Sequence, residues 1–130
     1  MADARMRIPG GDHPITIARD GSRVIVRLAG RIIADTTDAM TLREAKYAPV
    51  HYIPRGDVVM SALEPSPTTS YCPYKGEATY YSVRASGGAR DVAWCYEVPY
   101  PAVADIAGRL AFYSDRVDAI EERATAGEPT

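Results

Sequence analysis

One short segment of the chain, residues 71–81, concentrates the side chains that could do chemistry. It contains a thiol (Cys72), an ammonium (Lys75), a carboxylate and four phenols. A proline directly after the cysteine and Gly76 three residues later favour a tight turn, which would bring the ammonium close to the sulfur. An ammonium beside a thiol favours the reactive thiolate form. The spacing therefore makes Cys72 and Lys75 candidate catalytic residues, with the sulfur as a nucleophile or a redox group.

Each of these side chains also has a plain structural interpretation. Most free cysteines are small buried hydrophobic residues, so Cys72 could simply fill space in the core. Lys75 could be a solvated turn lysine, or it could anchor an anionic group of a ligand. Glu44 is a candidate for a buried acid facing Lys75, although spacing along the chain does not place it there. Both interpretations stay open for each residue.

Aromatic side chains and one arginine supply the candidate ligand-binding residues. Tyrosine and tryptophan on neighbouring strands usually fill a core, but they can also line a pocket with a flat apolar wall and one polar tip. An arginine at a strand end can grip a carboxylate or phosphate through two hydrogen bonds, or it can form a salt bridge to a nearby acid such as Asp57 or Glu64. The candidate ligand-binding residues are Tyr52, Arg55, Tyr80, Trp94 and Tyr96.

The composition fits a single soluble domain that binds neither nucleic acid nor membrane. The chain has 130 residues, 46% of them hydrophobic, and a formal net charge of -2. It has no basic block to hold a phosphate backbone and no apolar run of membrane-spanning length. The N-terminus lacks the apolar stretch of a signal peptide. With only two cysteines, Cys72 and Cys95, we expect free thiols in a reducing cytoplasm.

Several motifs of catalysis and metal binding are absent from the sequence. It has no Cys-x-x-Cys pair and no His-Glu-x-x-His, so we expect no metal site built on those motifs. It also lacks the phosphate-binding loop of P-loop proteins, the glycine fingerprint of dinucleotide-binding domains and the serine elbow of hydrolases. The sequence therefore leaves any cofactor unknown.

Short strand-like runs separated by Gly- and Pro-rich turns predict a mainly β fold, an antiparallel sheet assembly with one or two short helices. Asp20-Gly21 predicts a hairpin between the first two strands. Asp57 is expected to cap a short helix over residues 58–63, and residues 102–107 are the other helical candidate. The predicted strands are 15–17, 24–28, 31–35, 39–43, 50–53, 68–72, 78–84, 91–98 and 110–113, with 117–121 ambiguous between strand and helix.

The same pattern predicts the organisation of the chain. Residues 1–13 are polar and carry a proline and two glycines, which is typical of a flexible N-terminal arm. Residues 14–123 then form one β-rich domain. Residues 124–130 are expected to be a disordered tail.

The order and spacing of these segments resemble a known family, the domain-of-unknown-function family 427, which is sometimes labelled a nucleotidyltransferase domain. The resemblance rests on Tyr52-Ile53-Pro54-Arg55 and on Cys72-Pro73-Tyr74-Lys75-Gly76. It implies a compact fold similar to the β-tent of methionine sulfoxide reductase B and related zinc proteins. The paired Cys-x-x-Cys zinc sites of those proteins are missing here. So are the paired aspartates that would hold Mg²⁺ for nucleotidyl transfer.

Three functions fit these residues. The preferred one is a pocket for a small anionic or aromatic molecule, lined by Lys75, Arg55, Cys72 and the aromatic residues, with or without catalysis. The second is a thiol-based redox or transferase enzyme that uses Cys72. The third is a non-catalytic protein-interaction domain whose aromatic residues are core. An aromatic sheet face could also support a homodimer.

Overall fold

The computed structural model describes residues 4–124 and has ten β-strands and three short 3₁₀ helices within them. The 3₁₀ helices are Arg55–Asp57, Met60–Ala62 and Pro101–Ile106. The strands are β1 (Ile15–Ala18), β2 (Arg23–Leu28), β3 (Arg31–Thr36), β4 (Met40–Glu44), β5 (Val50–Tyr52), β6 (Leu63–Cys72), β7 (Gly76–Val83), β8 (Ala93–Cys95), β9 (Leu110–Phe112) and β10 (Ala119–Arg123).

The described strands form three antiparallel sheets, with strand orders β1-β4-β5, β10-β2-β3 and β6-β7-β8-β9. An isolated bridge between Ile53 and Leu110 joins the first sheet to the third, and another between Ala34 and Val58 fastens β3 to the segment after β5. The mainly β, antiparallel architecture predicted from the sequence is confirmed. Its closer likeness to a β-tent stays a prediction.

Two clusters of buried side chains lie between the sheets. The larger one centres on Val24 and Val26 of β2 and packs them against Ile53 and Leu110. The smaller one contains Leu42, Tyr52, Ala78, Tyr96, Val103, Ile106 and Ala111, with Cys72, Tyr80 and Trp94 packed against it. Because this smaller cluster draws on β4, β5, β7 and β8, it brings together aromatic residues that are distant in sequence.

The turn between β6 and β7 positions the lysine that the sequence singles out. The Lys75 amide donates a hydrogen bond to the Cys72 carbonyl over 3.2 Å, and Cys72 is directly opposite Gly76 in the ladder. Gly76 has φ of 108°, a conformation that side chains disfavour. A glycine is therefore required to return the chain into β7 immediately after Lys75.

Two local predictions are wrong, the hairpin at Asp20-Gly21 and the helix cap at Asp57, because both segments interact with residues that are distant in sequence. The Asp20-Gly21 signal does not join β1 to β2, since β1 pairs with β4 and β2 with β3 and β10. The helical turn predicted within 58–63 is present as the 3₁₀ helix Met60–Ala62, but Asp57 does not cap it. The Asp57 carboxylate accepts a hydrogen bond from the Thr36 hydroxyl over 2.7 Å instead of capping a helix.

The strand predicted over 68–72 is longer in the structure, since the proline-bearing segment before Thr68 also belongs to β6. Pro65 lies opposite Tyr81, and the register shifts between Ser66 and Thr69. β6 lies at the edge of its sheet, where a proline costs no ladder hydrogen bond on the free side. The predicted strand over 91–98 is shortened to Ala93–Cys95, and the ambiguous segment near 117–121 becomes β10.

Residues 4–13, within the predicted N-terminal arm, run beside the turn between β6 and β7. The Arg7 amide donates to the Pro73 carbonyl over 2.8 Å, and His13 stacks on Tyr74 with ring centroids 4.0 Å apart. The flexibility predicted for 1–13 stays a prediction, and residues 125–130 of the predicted tail lie outside the described residues. The part of the chain that is described has no helix long and apolar enough to cross a bilayer.

Candidate functional site

An open cavity of about 420 Å³ lies over the smaller buried cluster, where β4, β5, β7 and β8 meet. Its wall is mostly aromatic, and its charged groups are one carboxylate and one ammonium. The residues that line it are Leu42, Glu44, Tyr47, Val50, Tyr52, Lys75, Tyr80, Trp94, Tyr96 and Tyr113. Its size is within the range of small-molecule sites.

A three-member polar chain forms the charged end of this cavity. The Lys75 ammonium donates to Glu44 Oε1 over 2.5 Å, and His13 Nε2 lies 2.6 Å from Glu44 Oε2. Only 9% of the Lys75 side chain and 13% of the Glu44 side chain are exposed. Burial raises the pKa of Glu44, but the hydrogen bonds from Lys75 and His13 outweigh it and hold the pKa below its ordinary value. Glu44 is therefore a carboxylate that neutralises Lys75.

Cys72 lies behind the hydrogen-bonded group of His13, Glu44 and Lys75, at the base of the turn between β6 and β7. Its sulfur is 3.6 Å from the Lys75 ammonium, which confirms the proximity expected from the turn. The thiol is half-buried and packs against the aromatic cluster without being part of the cavity wall. The Lys75 ammonium beside the sulfur is therefore also hydrogen-bonded to the Glu44 carboxylate.

The aromatic wall is held in place by its own hydrogen bonds and ring contacts. Trp94 donates its indole N–H to the Tyr52 hydroxyl over 3.2 Å, with the two rings edge to face. Tyr113 packs on Trp94 at 4.4 Å between ring centroids and donates to the Tyr80 hydroxyl over 3.4 Å. The Tyr96 hydroxyl makes no hydrogen bond to any residue within 4–124. It is therefore a donor still available to a ligand.

Three tyrosines of this wall, Tyr52, Tyr96 and Tyr113, are neutral phenols at physiological pH. Burial is the main cause that raises the pKa of Tyr52 and of Tyr96. Burial, followed by the hydrogen bond with Tyr80, raises the pKa of Tyr113 to about 12. These hydroxyls can therefore offer hydrogen bonds to a ligand but do not act as phenolate bases near pH 7.

Five of the seven predicted site residues line the cavity, namely Lys75, Tyr52, Tyr80, Trp94 and Tyr96. Cys72, predicted to line the same pocket, instead contacts Lys75 from outside the lining.

The prediction that Arg55 lines the same pocket does not hold. In the ladder between β7 and β8, Tyr80 pairs with Trp94 on the cavity face, while Tyr81 and Cys95 point to the other face. Arg55 donates to the Tyr81 hydroxyl over 2.9 Å, to the Gly108 carbonyl over 2.9 Å and to the Cys95 sulfur over 3.4 Å. Its ion pair is with Glu97 at 2.5 Å, and not with Asp57 or Glu64. Arg55 therefore links neighbouring segments on the face of the sheet that points away from the cavity.

Sequence reasoning missed three members of the site, namely His13, Tyr47 and Tyr113. His13 comes from the polar N-terminal segment and reaches Glu44 across a separation of 31 residues. Tyr47 and Tyr113 lie just after β4 and β9, in positions with no distinctive spacing. The sequence signal for Tyr113 was its place in the predicted strand 110–113, whereas its approach to Trp94 depends on the pairing of β8 with β9.

Residues 4–124 contain no group of three or more His, Cys, Asp or Glu side chains that could hold a metal ion. No curated protein matches the chain. The family model described as "Domain of unknown function (DUF427)", with the label NTP_transf_9, matches residues 16–123. That match covers the ten described strands apart from Ile15, the cavity lining, and Glu44 and Lys75 of the polar chain, but not His13. The chain therefore belongs to the domain-of-unknown-function family 427.

Proposed function

We propose that the domain binds a small aromatic molecule that carries a carbonyl or carboxylate group. The observation that carries this proposal is the cavity of about 420 Å³ with aromatic walls and the Lys75–Glu44 pair at one end. Flat aromatic walls favour a planar ligand, and a few fixed polar groups orient it. A site of this design is typical of specific small-molecule recognition.

Two unfilled donors favour an acceptor group on the ligand. A lysine ammonium has three N–H groups, and the partners of Lys75 are Glu44 and the Cys72 sulfur. One N–H of Lys75 and the Tyr96 hydroxyl thus remain for a ligand oxygen. A carbonyl or carboxylate oxygen can accept both hydrogen bonds at once.

The charge of the cavity argues against a highly charged ligand. Lys75 is neutralised by Glu44, and the lining contains no further Lys, Arg, Asp or Glu. A polyphosphate would bury several negative charges beside a carboxylate with a single shared ammonium, which is costly. The proposal is therefore a neutral or singly negative ligand, and a nucleoside triphosphate is disfavoured.

The test uses Trp94, the single tryptophan of the chain, as a reporter inside the cavity wall. Its fluorescence is titrated with benzoate, benzamide and benzylamine, which share one ring and differ in the polar group. We expect benzoate and benzamide to bind and benzylamine to bind at least about tenfold more weakly, since an ammonium cannot accept from Lys75. No saturable response to benzoate and benzamide, or equal affinity for benzylamine, would overturn the proposal.

Replacing Tyr96 with phenylalanine should weaken benzoate binding by about three- to tenfold, because one hydrogen bond to the ligand is lost. The matched control is Tyr71→Phe, whose hydroxyl bonds to Tyr100 outside the cavity lining. This control should leave the benzoate affinity unchanged. Equal affinities of the Tyr96→Phe variant and the wild type would remove Tyr96 from the proposed site.

A second candidate function, thiol chemistry at Cys72, is favoured by the 3.6 Å approach of the Lys75 ammonium to the sulfur. We expect iodoacetamide to modify Cys72 at least about tenfold faster than Cys95 at neutral pH, measured by mass spectrometry. Cys95 is fully buried, and burial raises its pKa to about 11.

The Lys75→Gln variant separates a reactive thiol from a merely accessible one. If the ammonium activates the sulfur, this variant should slow alkylation of Cys72 while Cys95 stays protected, which shows that the fold is intact. Cys72 reacting no faster than Cys95 in the wild type would exclude this candidate.

A further inference from the structure

A second cavity adjoins the proposed site across Trp94 and Tyr113. It has a volume of about 340 Å³, and Val50, Trp94 and Tyr113 line both cavities. Its remaining wall comes from β2, β10 and the ends of β5 and β9, and includes Val24, Val26, Ile53, Phe112 and Ile120. The two spaces are therefore neighbouring compartments with a common partition.

The interior of the second cavity is hydrocarbon and aromatic. Val24, Val26 and Ile53 of its lining are each at most 1% exposed. The polar members of its lining are His51, Ser114 and Asp115. His51 has partners on both ring nitrogens, Thr41 at 2.9 Å and Glu122 at 3.3 Å. A cavity whose inner wall is mainly hydrocarbon and aromatic favours apolar groups of a ligand.

We infer that the ligand of this domain has two parts, a planar head with an oxygen acceptor in the first cavity and an apolar chain or ring in the second. This inference rests on the proposed function, since it extends the same ligand across the Trp94–Tyr113 partition. A dry cavity of about 150 Å³ already admits benzene. The volume of about 340 Å³ therefore has room for a short alkyl chain or a second ring.

The test is a series of benzoates with growing para substituents, from hydrogen through ethyl to butyl, titrated against Trp94 fluorescence. We expect the affinity to rise by up to about fourfold for each methylene that enters the cavity. Ala48 and Ser114 are exposed residues on its rim. The Ala48→Phe and Ser114→Phe variants should abolish the gain with chain length and leave the affinity for benzoate itself unchanged.

The matched control is Ala104→Phe, an exposed alanine in the Pro101–Ile106 helix and outside both cavities, which should keep the full gain. Benzoate binding without any gain from the alkyl chain would overturn this inference and leave the proposed function standing. A gain that persists in both rim variants would also overturn it. Binding of butylbenzoate alone, abolished by the rim variants, would support the second cavity and overturn the first proposal. No binding of either compound would overturn both.

Discussion

Replacing Lys75 with methionine should lower the free energy of unfolding by about 3 kcal/mol, because a buried carboxylate would lose its ammonium partner. Lys75 and Glu44 are both largely buried and lie 2.5 Å apart, so the Coulombic interaction is not screened as it is at a surface. His13 still contacts Glu44 in this variant, which places the loss at the lower end of the range for broken buried pairs. Urea unfolding followed by Trp94 fluorescence measures the loss.

The double variant Lys75→Met, Glu44→Leu is the matched control for this prediction. It removes both charges, so it should be more stable than Lys75→Met alone.

The stability difference between the wild type and Lys75→Met should also shrink in acid. The pKa of Glu44 is lower in the folded protein, so the pair stabilises the fold fully above the ordinary pKa near 4.5. That contribution is lost as the pH falls through the lower folded value. A stability difference between the wild type and Lys75→Met that does not change with pH would contradict this assignment of the pair. So would a double variant whose loss of stability equals the summed losses of its two single variants.

Replacing Arg55 with methionine should cost about 2 kcal/mol of stability, because its charge-assisted hydrogen bonds hold three separate elements together. The guanidinium binds the Gly108 carbonyl, the Tyr81 hydroxyl and the Glu97 carboxylate. These partners belong to the segment before β9, to β7 and to the segment after β8. Because they lie on the sheet face away from the cavity, the affinity for benzoate should not change.

The control for this prediction is Arg43→Met, an exposed arginine on β4 that should change the stability by no more than about 0.5 kcal/mol. Thermal unfolding and the Trp94 titration are measured on both variants. If Arg55→Met loses benzoate binding and keeps its stability, Arg55 binds the ligand and does not brace the fold.

The sequence predicted what depends on a few neighbouring residues. The turn that brings Lys75 to Cys72 spans three positions, and Pro73 and Gly76 restrict its backbone directly. Alternation along an extended segment is also local, and it places Trp94 and Tyr96 on one face of the sheet and Cys95 on the other. The structure agrees on all of these points.

What the sequence could not predict depends on strand pairing between distant segments. Glu44 reaches Lys75 only because β4 lies in a different sheet that is docked on β7, 31 residues away. Arg55 was assigned to the ligand because a strand end can present a guanidinium to a pocket. Which side of the next sheet that strand end meets is set by the Ile53–Leu110 bridge, and no local pattern records it.

The pairing of β10 with β2 has a consequence for how the chain is made. Ala119 to Arg123 complete a sheet with residues 23–27, so β10 is joined to the second strand along the chain. During synthesis, residues 23–27 emerge long before residues 119–123. One edge of β2 therefore stays unpaired until β10 has left the ribosome. Ile120 arrives with that strand and closes one wall of the second cavity. A nascent chain halted before residue 119 would thus lack that wall however long it were given to fold.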